Sequence, residues 1–485
     1  MRATTRYLAA AALLLAAVPA EAYLPAPYGG VVTATLPDRP VTLDPARATR
    51  ASELMVVPLL YDALFRASRR GVVPHLLDGA PKVSPDGKTW RLRLRPGVRV
   101  NGGSALLEAS HVVASLRRVR RGPNAYLLAG VSSLATDGKD VVVLTTRRRA
   151  PELPHVLSAP ATAIVVTRGR RLLGTGPYLL SSLSASVIQL KANATHFAGR
   201  PYLDELRLRM FSKASAASAS FQIGAVQLSY QGAPVFGGTP RFPTRPFNSP
   251  PVDHIFLGVG RRQPFLTDPQ LRLALLAGID RRRLAKLVGG GRAPLARGPV
   301  SRRMLRRLPR AVVFNRGRAR RLLQRAAARY PSLRGALAGG RVKVSLLVDA
   351  SRFGDRILAG QIVADLDRVG VACAIEALPA KDYRSRLASG RYDLVLGHQA
   401  LQVPLASVAL AGVLALAGDA AGARACMAKR RCGTRSAARF MKRLPLIPLL
   451  HAAVRVHHNT RLGGVRTDRT GRFLYEGIYL QRKGP

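Results

Sequence analysis

Few residues in this sequence have the types and spacing from which chemistry could be built. His451, His457 and His458 lie close together near the C-terminus. On an alternating strand, however, neighbours point to opposite faces, so His457 and His458 cannot both face one metal ion without a bulge. Gly87-Lys88-Thr89 resembles the end of a phosphate loop, but Lys82 stands where that loop needs its first Gly. Gly174-Thr175-Gly176 lacks the third Gly of a dinucleotide fingerprint, and no Gly-x-Ser-x-Gly turn occurs. The three cysteines, Cys373, Cys426 and Cys432, form no paired Cys-x-x-Cys motif, which argues against structural zinc. Cys426 and Cys432 could close a small ring, whereas Cys373 sits in the apolar run Val371 to Leu378 and reads as a buried thiol. No catalytic residue, metal ligand or cofactor is nominated, and the expectation is a protein that is not an enzyme.

Charge is the other chemical resource. The 485 residues include 77 Lys+Arg against 26 Asp+Glu, a net charge of +51, and 66 of those cations are Arg. Twelve Arg and no acid lie between Ser301 and Gly335, a segment attractive to polyanions. Only Phe314 and Tyr330 there could stack on bases, and Ala319, Leu322, Leu323 and Ala326 form an apolar stripe on the same helix. The reading is a solvated helix face, with anionic envelope surfaces as its electrostatic partner and no specific nucleic acid.

The elements that must position any site are those of a folded protein, with 47% hydrophobic and 21% charged residues and a length that calls for two or three lobes. Arg2 and Arg6, the apolar run Leu8 to Val18 and Ala20-Glu21-Ala22 make a secretory signal peptide over 1–22. No Cys follows it, so the expectation is an exported, soluble chain without a lipid anchor. Val31 to Leu36 reads as a strand and Glu53 to Phe65 as a helix with one apolar face. Trp90, Leu92 and Leu94 alternate with Arg91, Arg93 and Arg95, a half-buried strand ended by Pro96-Gly97. Val342 to Val348, the helical face Leu358, Ile362, Leu366 and Val369, the stop at Gly370 and the strand Val371 to Leu378 make a βαβ unit with parallel strands. A helix from Asp382 to Ala388 and a strand from Tyr392 to Leu396 follow. Leu405 to Ala417 is apolar but too short to span a bilayer and reads as a buried helix.

Taken in order, these landmarks resemble the extracellular solute-binding proteins of family 5, the peptide and nickel class of ABC importers. The resemblance rests on Thr42-Leu43-Asp44-Pro45, Leu60-Tyr61-Asp62-Ala63-Leu64-Phe65, Val72-Val73-Pro74-His75-Leu76 and Val83-Ser84-Pro85-Asp86-Gly87-Lys88-Thr89-Trp90. It continues through Gly174-Thr175-Gly176-Pro177-Tyr178, Gly199-Arg200-Pro201-Tyr202-Leu203-Asp204, Ile279-Asp280-Arg281, Tyr392-Asp393-Leu394 and Leu444-Pro445-Leu446-Ile447-Pro448-Leu449. It implies an α/β protein with a two-lobed periplasmic-binding-protein fold of the class II type, an extra domain and a hinge. The expected division is 23–65, 181–265 and 451–485 for lobe I, 66–180 for the extra domain and 266–450 for lobe II. It also implies a periplasmic, monomeric receptor that hands a small or peptide-like ligand to an ABC permease and ATPase complex.

Ser52, Glu53, His398 and Gln399 are the expected ligand-binding residues. Peptide binders of this class carry an acidic motif soon after Tyr-Asp-Leu, where this chain has His398-Gln399-Ala400-Leu401-Gln402. An amine buried without a counter-charge is costly, so the departure favours a neutral or anionic ligand. The alternative is a binding-protein fold reused as a cationic envelope or scaffold protein.

Overall fold

The computed structural model describes residues 27–481 apart from 69–70, 231–242, 261, 289–292, 306, 308, 353 and 429–431. The signal peptide expected over 1–22, and Arg306 of the basic segment, lie outside the described residues. A ten-stranded mixed sheet runs through the molecule in the order Tyr178–Leu183, Val187–Ala192, Glu205–Arg209, Val31–Thr35, Leu228–Ser229, Leu446–Asn459, Thr244–Val259, Leu394–Ala400, Val342–Asp349, Val371–Leu378. The two longest strands, Thr244–Val259 and Leu446–Asn459, pair antiparallel at its centre and serve both halves. The far end of Leu446–Asn459 lies beside Leu228–Ser229, and the C-terminal half of Thr244–Val259 lies beside Leu394–Ala400. Register shifts between Asn248 and Pro251, and again between Pro251 and Asp253, interrupt this ladder where the halves meet. Pro246, Pro250 and Pro251 withhold ladder donors, so a bulged crossing is what this sequence can build.

Each half has its own core. In the first, helix Ala51–Leu60 buries Leu54, Val56 and Val57 against Val32, Ala34, Leu206 and Leu208. The helix ends at Leu60, not Phe65 as its apolar spacing predicts, and Phe65 opens the hairpin strand Phe65–Ser68. Pro58 removes a hydrogen bond inside the last turn, and Gly174 and Gly176 press on the backbone of Leu60, where the chain turns away. In the second half the expected βαβ unit is present. Val342–Asp349 lies parallel to Val371–Leu378, with helix Asp355–Asp367 between them burying Leu358, Ile362 and Leu366. Gly370 stops that crossover at a φ of 96°, a conformation that favours glycine. Helix Arg316–Ala327 docks on this core through Ala319, Leu322, Leu323 and Ala326, leaving Arg318, Arg321 and Arg325 exposed.

A third core lies under the four-stranded sheet Lys82–Val83, Thr89–Arg93, Val141–Thr146, Val131–Asp137. Trp90 and Leu92 point into it while Arg91 and Arg93 stay exposed, as the alternation predicts. Helix Ala109–Arg120 covers the sheet with Val112, Leu116 and Val119. The apolar helix over Ala406–Leu416 packs into this core through Val408, Leu410 and Ala411. Among the described residues no helix is long and apolar enough to cross a membrane. Cys426 and Cys432 form a disulfide beside it. Cys373 is a free thiol, and burial pushes its pKa up to about 12.

Candidate functional site

The seam between the two halves of the large sheet begins at the first helix. Glu53, three residues into Ala51–Leu60, is fully buried. Its carboxylate accepts the backbone N–H groups of Val41 (3.0 Å), Thr42 (3.2 Å), Thr49 (2.8 Å) and Arg50 (3.0 Å). It also accepts from Arg384 at 2.6 Å, on helix Ala380–Ser389 of the second half. Ser52 is equally buried and donates its hydroxyl to Asp38. Of the expected site residues, these two therefore form the wall of the seam, and Glu53 fastens the loop 41–50 to the opposite half.

Further ion pairs join the halves. Arg50 reaches Asp349 at 2.7 Å and Asp38 at 3.1 Å, and donates to Ser351 at 3.0 Å. Arg352 crosses the other way, 3.3 Å from Asp38 and 3.6 Å from Asp253. Burial opposes ionisation of Asp38, but Arg352, Arg50 and the Ser52 hydroxyl together hold its carboxyl below the usual range. Burial likewise works against the charge of Arg352, and the surrounding carboxylates of Asp38, Asp253, Asp355 and Asp349 outweigh it. Removing one member of such a buried pair leaves the other uncompensated, at about 3–5 kcal/mol.

His398 lies in the same network. Its Nδ1 is 2.7 Å from Asp253, and its Nε2 is 3.0 Å from one oxygen of Asp355 and 3.2 Å from the other. Burial and Arg352 favour the neutral ring, but the two carboxylates prevail and lift its pKa to about 9. An acid thus stands beside this segment on a neighbouring strand. Asp253, on Thr244–Val259, pairs in register with Ala400, and one of its carboxylate oxygens is buried with no hydrogen-bond partner.

Asp253 borders a small cavity of about 30 Å³, together with Gln399, His254, His451, Gln402, Tyr126 and Ser301. The volume suits one water-sized molecule, so a larger ligand requires the halves to part. His254 and His451 are cross-strand neighbours with rings stacked 4.8 Å apart. Both nitrogens of His254 and Nε2 of His451 are buried without a hydrogen-bond partner. Burial, with repulsion from His451 and His398, keeps His254 neutral well below its ordinary pKa. Burial takes His451 down to about 4 against backbone contacts at Gly298 and Val300. Gln399 lines the cavity and donates to the Ala409 carbonyl at 3.4 Å. Four unpartnered buried polar atoms in one small space are unusual in a finished core and suit a site built to receive hydrogen bonds from a guest.

The structure therefore brings Gln399 to this cavity's edge, holds His398 on its bordering residue Asp253, and keeps Ser52 and Glu53 in the ion-pair network of the seam. Asp38, Arg50, Asp253, His254, Asp349, Arg352 and Asp355 lie in the same network or on the cavity wall and were not legible as candidates in the sequence. The pair Asp253-His254 in an otherwise uncharged stretch was the one signal available.

A model of the bacterial extracellular solute-binding proteins, family 5 (middle region), matches residues 71–418. Among curated proteins, an uncharacterized protein of Bacillus subtilis, YhjP, is 28% identical over 261 residues, 53% of this chain and 43% of its own length. The glutathione-binding protein GsiB of Salmonella typhi is 26% identical over 278 residues, 53% of this chain and 54% of its own. The matches thus span about half the length of these curated relatives. Solved structures share the fold over far more of the chain. MoaA from A. tumefaciens R10, in complex with mannopinic acid, aligns with a TM-score of 0.80 at 20% identity, covering 94% of this chain and 100% of that one. DppA from Helicobacter pylori, a periplasmic binding protein in complex with the peptide STSA, aligns with a TM-score of 0.75 at 17% identity, covering 94% and 99%. The fold is accordingly the two-lobed one of periplasmic binding proteins.

Proposed function

Because the chain belongs to the bacterial extracellular solute-binding proteins of family 5, we propose that it is the substrate-binding component of an ABC importer. In this reading it is periplasmic and monomeric, and it closes its two lobes on a small polar solute before delivering it to the permease. The domain division is proposed as 23–65, 181–265 and 451–485 for one lobe, 266–450 for the other and 66–180 for the extra domain. Residues 406–428 pack with the last of these. Contact of the basic helix with anionic envelope surfaces is proposed as a secondary, electrostatic property.

The observation that carries this reading is the cluster of unpartnered polar atoms on Asp253, His254 and His451 at the seam. Neutral His254 offers one donor and one acceptor, His451 offers only Nε2 because its other nitrogen is engaged by backbone, and the free oxygen of Asp253 accepts. The ligand in this reading is a solute that brings several donors and at least one acceptor, such as a short peptide or an amide-bearing acid. The glutathione, peptide and mannopinic acid named for its relatives and structural neighbours belong to that chemical range.

Trp90 lies in the third core and not on the cavity wall, so its fluorescence is a poor reporter of binding. Thermal shift and calorimetry with di- and tripeptides, glutathione and mannopinic acid are the direct test. A binding ligand should raise Tm, and Asp253→Asn or His254→Gln should weaken it about tenfold, the equivalent of 1.4 kcal/mol. If no member of these classes stabilises the protein at millimolar concentration, the reading fails.

A further inference from the structure

Away from the seam, a larger cavity of about 350 Å³ opens where the first half meets the paired strands Phe65–Ser68 and Gly71–Pro74, and it shares no lining residue with the seam cavity. Asp62, His75 and His196 stand together on its wall. They come from three separate segments. Asp62 follows the end of the first helix, and its carbonyl accepts from Ile164 at 2.8 Å. His75 follows the strand Gly71–Pro74 and is fixed by its N–H to Leu64 at 3.0 Å. His196 sits in the turn after Val187–Ala192, where Asn193 accepts from the Thr195 N–H at 3.1 Å.

The side chains converge. Asp62 Oδ1 is 2.9 Å from His75 Nε2, and Oδ2 is 3.3 Å from His196 Nε2. One donor atom from each residue lies within 4.8 Å of the others. Bonds of about 2.0–2.2 Å at tetrahedral angles separate neighbouring donor atoms by roughly 3.3 Å, a spacing that the two contacts of Asp62, at 2.9 and 3.3 Å, approach. The surroundings orient the donors. Thr175 donates to Asp62 Oδ2 at 2.8 Å, and His196 Nδ1 lies 3.1 Å from the Gly199 carbonyl. That carbonyl can only accept, so Nδ1 carries a proton. Nε2 faces a carboxylate that also only accepts, so a cation, either a proton or a metal ion, must lie between those two lone pairs at 3.3 Å. The three side chains are nearly closed to solvent, at 6%, 11% and 5% exposure, yet they border a cavity able to supply a further ligand.

We propose that Asp62, His75 and His196 bind a divalent transition-metal ion, zinc foremost, with an open coordination position facing this cavity. One carboxylate and two imidazoles suit zinc and its first-row neighbours. The site is separate from the seam and does not depend on the solute-binding reading.

The test uses untagged protein stripped with a chelator, then titrated with Zn²⁺ against a competing chromophoric chelator and with Co²⁺ by visible absorption. A single equivalent should bind, with Co²⁺ giving the intense d–d bands of a low-coordinate site. Asp62→Asn and His196→Gln should each weaken binding by at least about 10- to 100-fold, the range already seen when an orienting partner is lost. His254→Gln at the seam should bind as wild type. Should either ligand variant fail to fold, His196→Cys decides, because a thiolate ligand adds a sulfur-to-cobalt charge-transfer band. The proposal is overturned if wild type binds no stoichiometric Zn²⁺ or Co²⁺, if binding survives Asp62→Asn and His196→Gln, or if His196→Cys binds cobalt without that band. The cation between the lone pairs would then be a proton.

Discussion

His398 keeps its proton at a pH where an isolated histidine has lost it. Its pKa of about 9, against an ordinary 6.5, comes from Asp355 and Asp253 winning over burial and Arg352. A group whose pKa rises on folding stabilises fully below its unfolded value and ceases to do so as pH climbs through the folded one. Stability should therefore fall between about pH 6.5 and 9, by on the order of 3 kcal/mol. His451, near 4, and His254, also held well below its ordinary value, act in the opposite sense. The unfolded chain protonates them first, so stability is lost as pH drops below 6.5. Chemical denaturation across pH should give a dome, and His398→Gln should flatten its alkaline limb while lowering the whole curve. An unchanged alkaline slope in that variant would remove His398 from the account. At this scale little was legible. His398 and Gln399 stood out because they occupy the place of an acidic motif, but their partners Asp253 and Asp355 are distant in sequence and carry no periodicity.

Elements were far more legible than residues. The βαβ unit, the strand carrying Trp90 and Leu92, and the buried apolar helix follow from local patterns that tertiary packing reinforces. The long strand Thr244–Val259 did not, because its prolines erase the signature of a strand and only pairing with Leu446–Asn459 holds it extended. The first helix misled at its end for a similar reason, since packing by Gly174 and Gly176 lies outside any local window. A Cβ on Gly176 would sit 2.4 Å from the Leu60 carbonyl carbon, and one on Gly174 would sit 2.0 Å from the Leu60 oxygen. Backbone cannot swing aside as a side chain can. Gly176→Ala should accordingly cost at least about 2 kcal/mol, in the range of overpacked cores, and lower Tm by several degrees. A variant as stable as wild type would mean the first helix can shift to make room.

For the molecule as a whole, the question is what holds the halves together. Arg50 to Asp349, Arg352 to Asp38 and Arg384 to Glu53 all cross the seam. Removing one buried partner is worse than removing both. Arg50→Ala should shift solution scattering toward a larger radius of gyration, and adding Asp349→Asn should recover part of the change. If neither variant alters the radius, these pairs do not hold the closed arrangement. The basic helix acts outward. Arg316, Arg320, Arg321 and Arg325 are exposed, and each cation near an anionic surface contributes about 1 kcal/mol, within a Debye length of about 8 Å at physiological salt. Replacing the four by Gln should reduce co-sedimentation with anionic vesicles at low salt and leave ligand binding unchanged. Equal sedimentation of wild type at high salt would exclude an electrostatic tether.

The central place of Leu446–Asn459 in the large sheet also bears on how the chain is made. It is among the last strands in chain order, yet it is the neighbour of both Leu228–Ser229 and Thr244–Val259. Contacts so distant in sequence form slowly, and during synthesis this one must wait until nearly the whole polypeptide has emerged. Until then the sheet is open along its middle and neither half is complete. A nascent chain built this way cannot close its large sheet until almost the end of its translation.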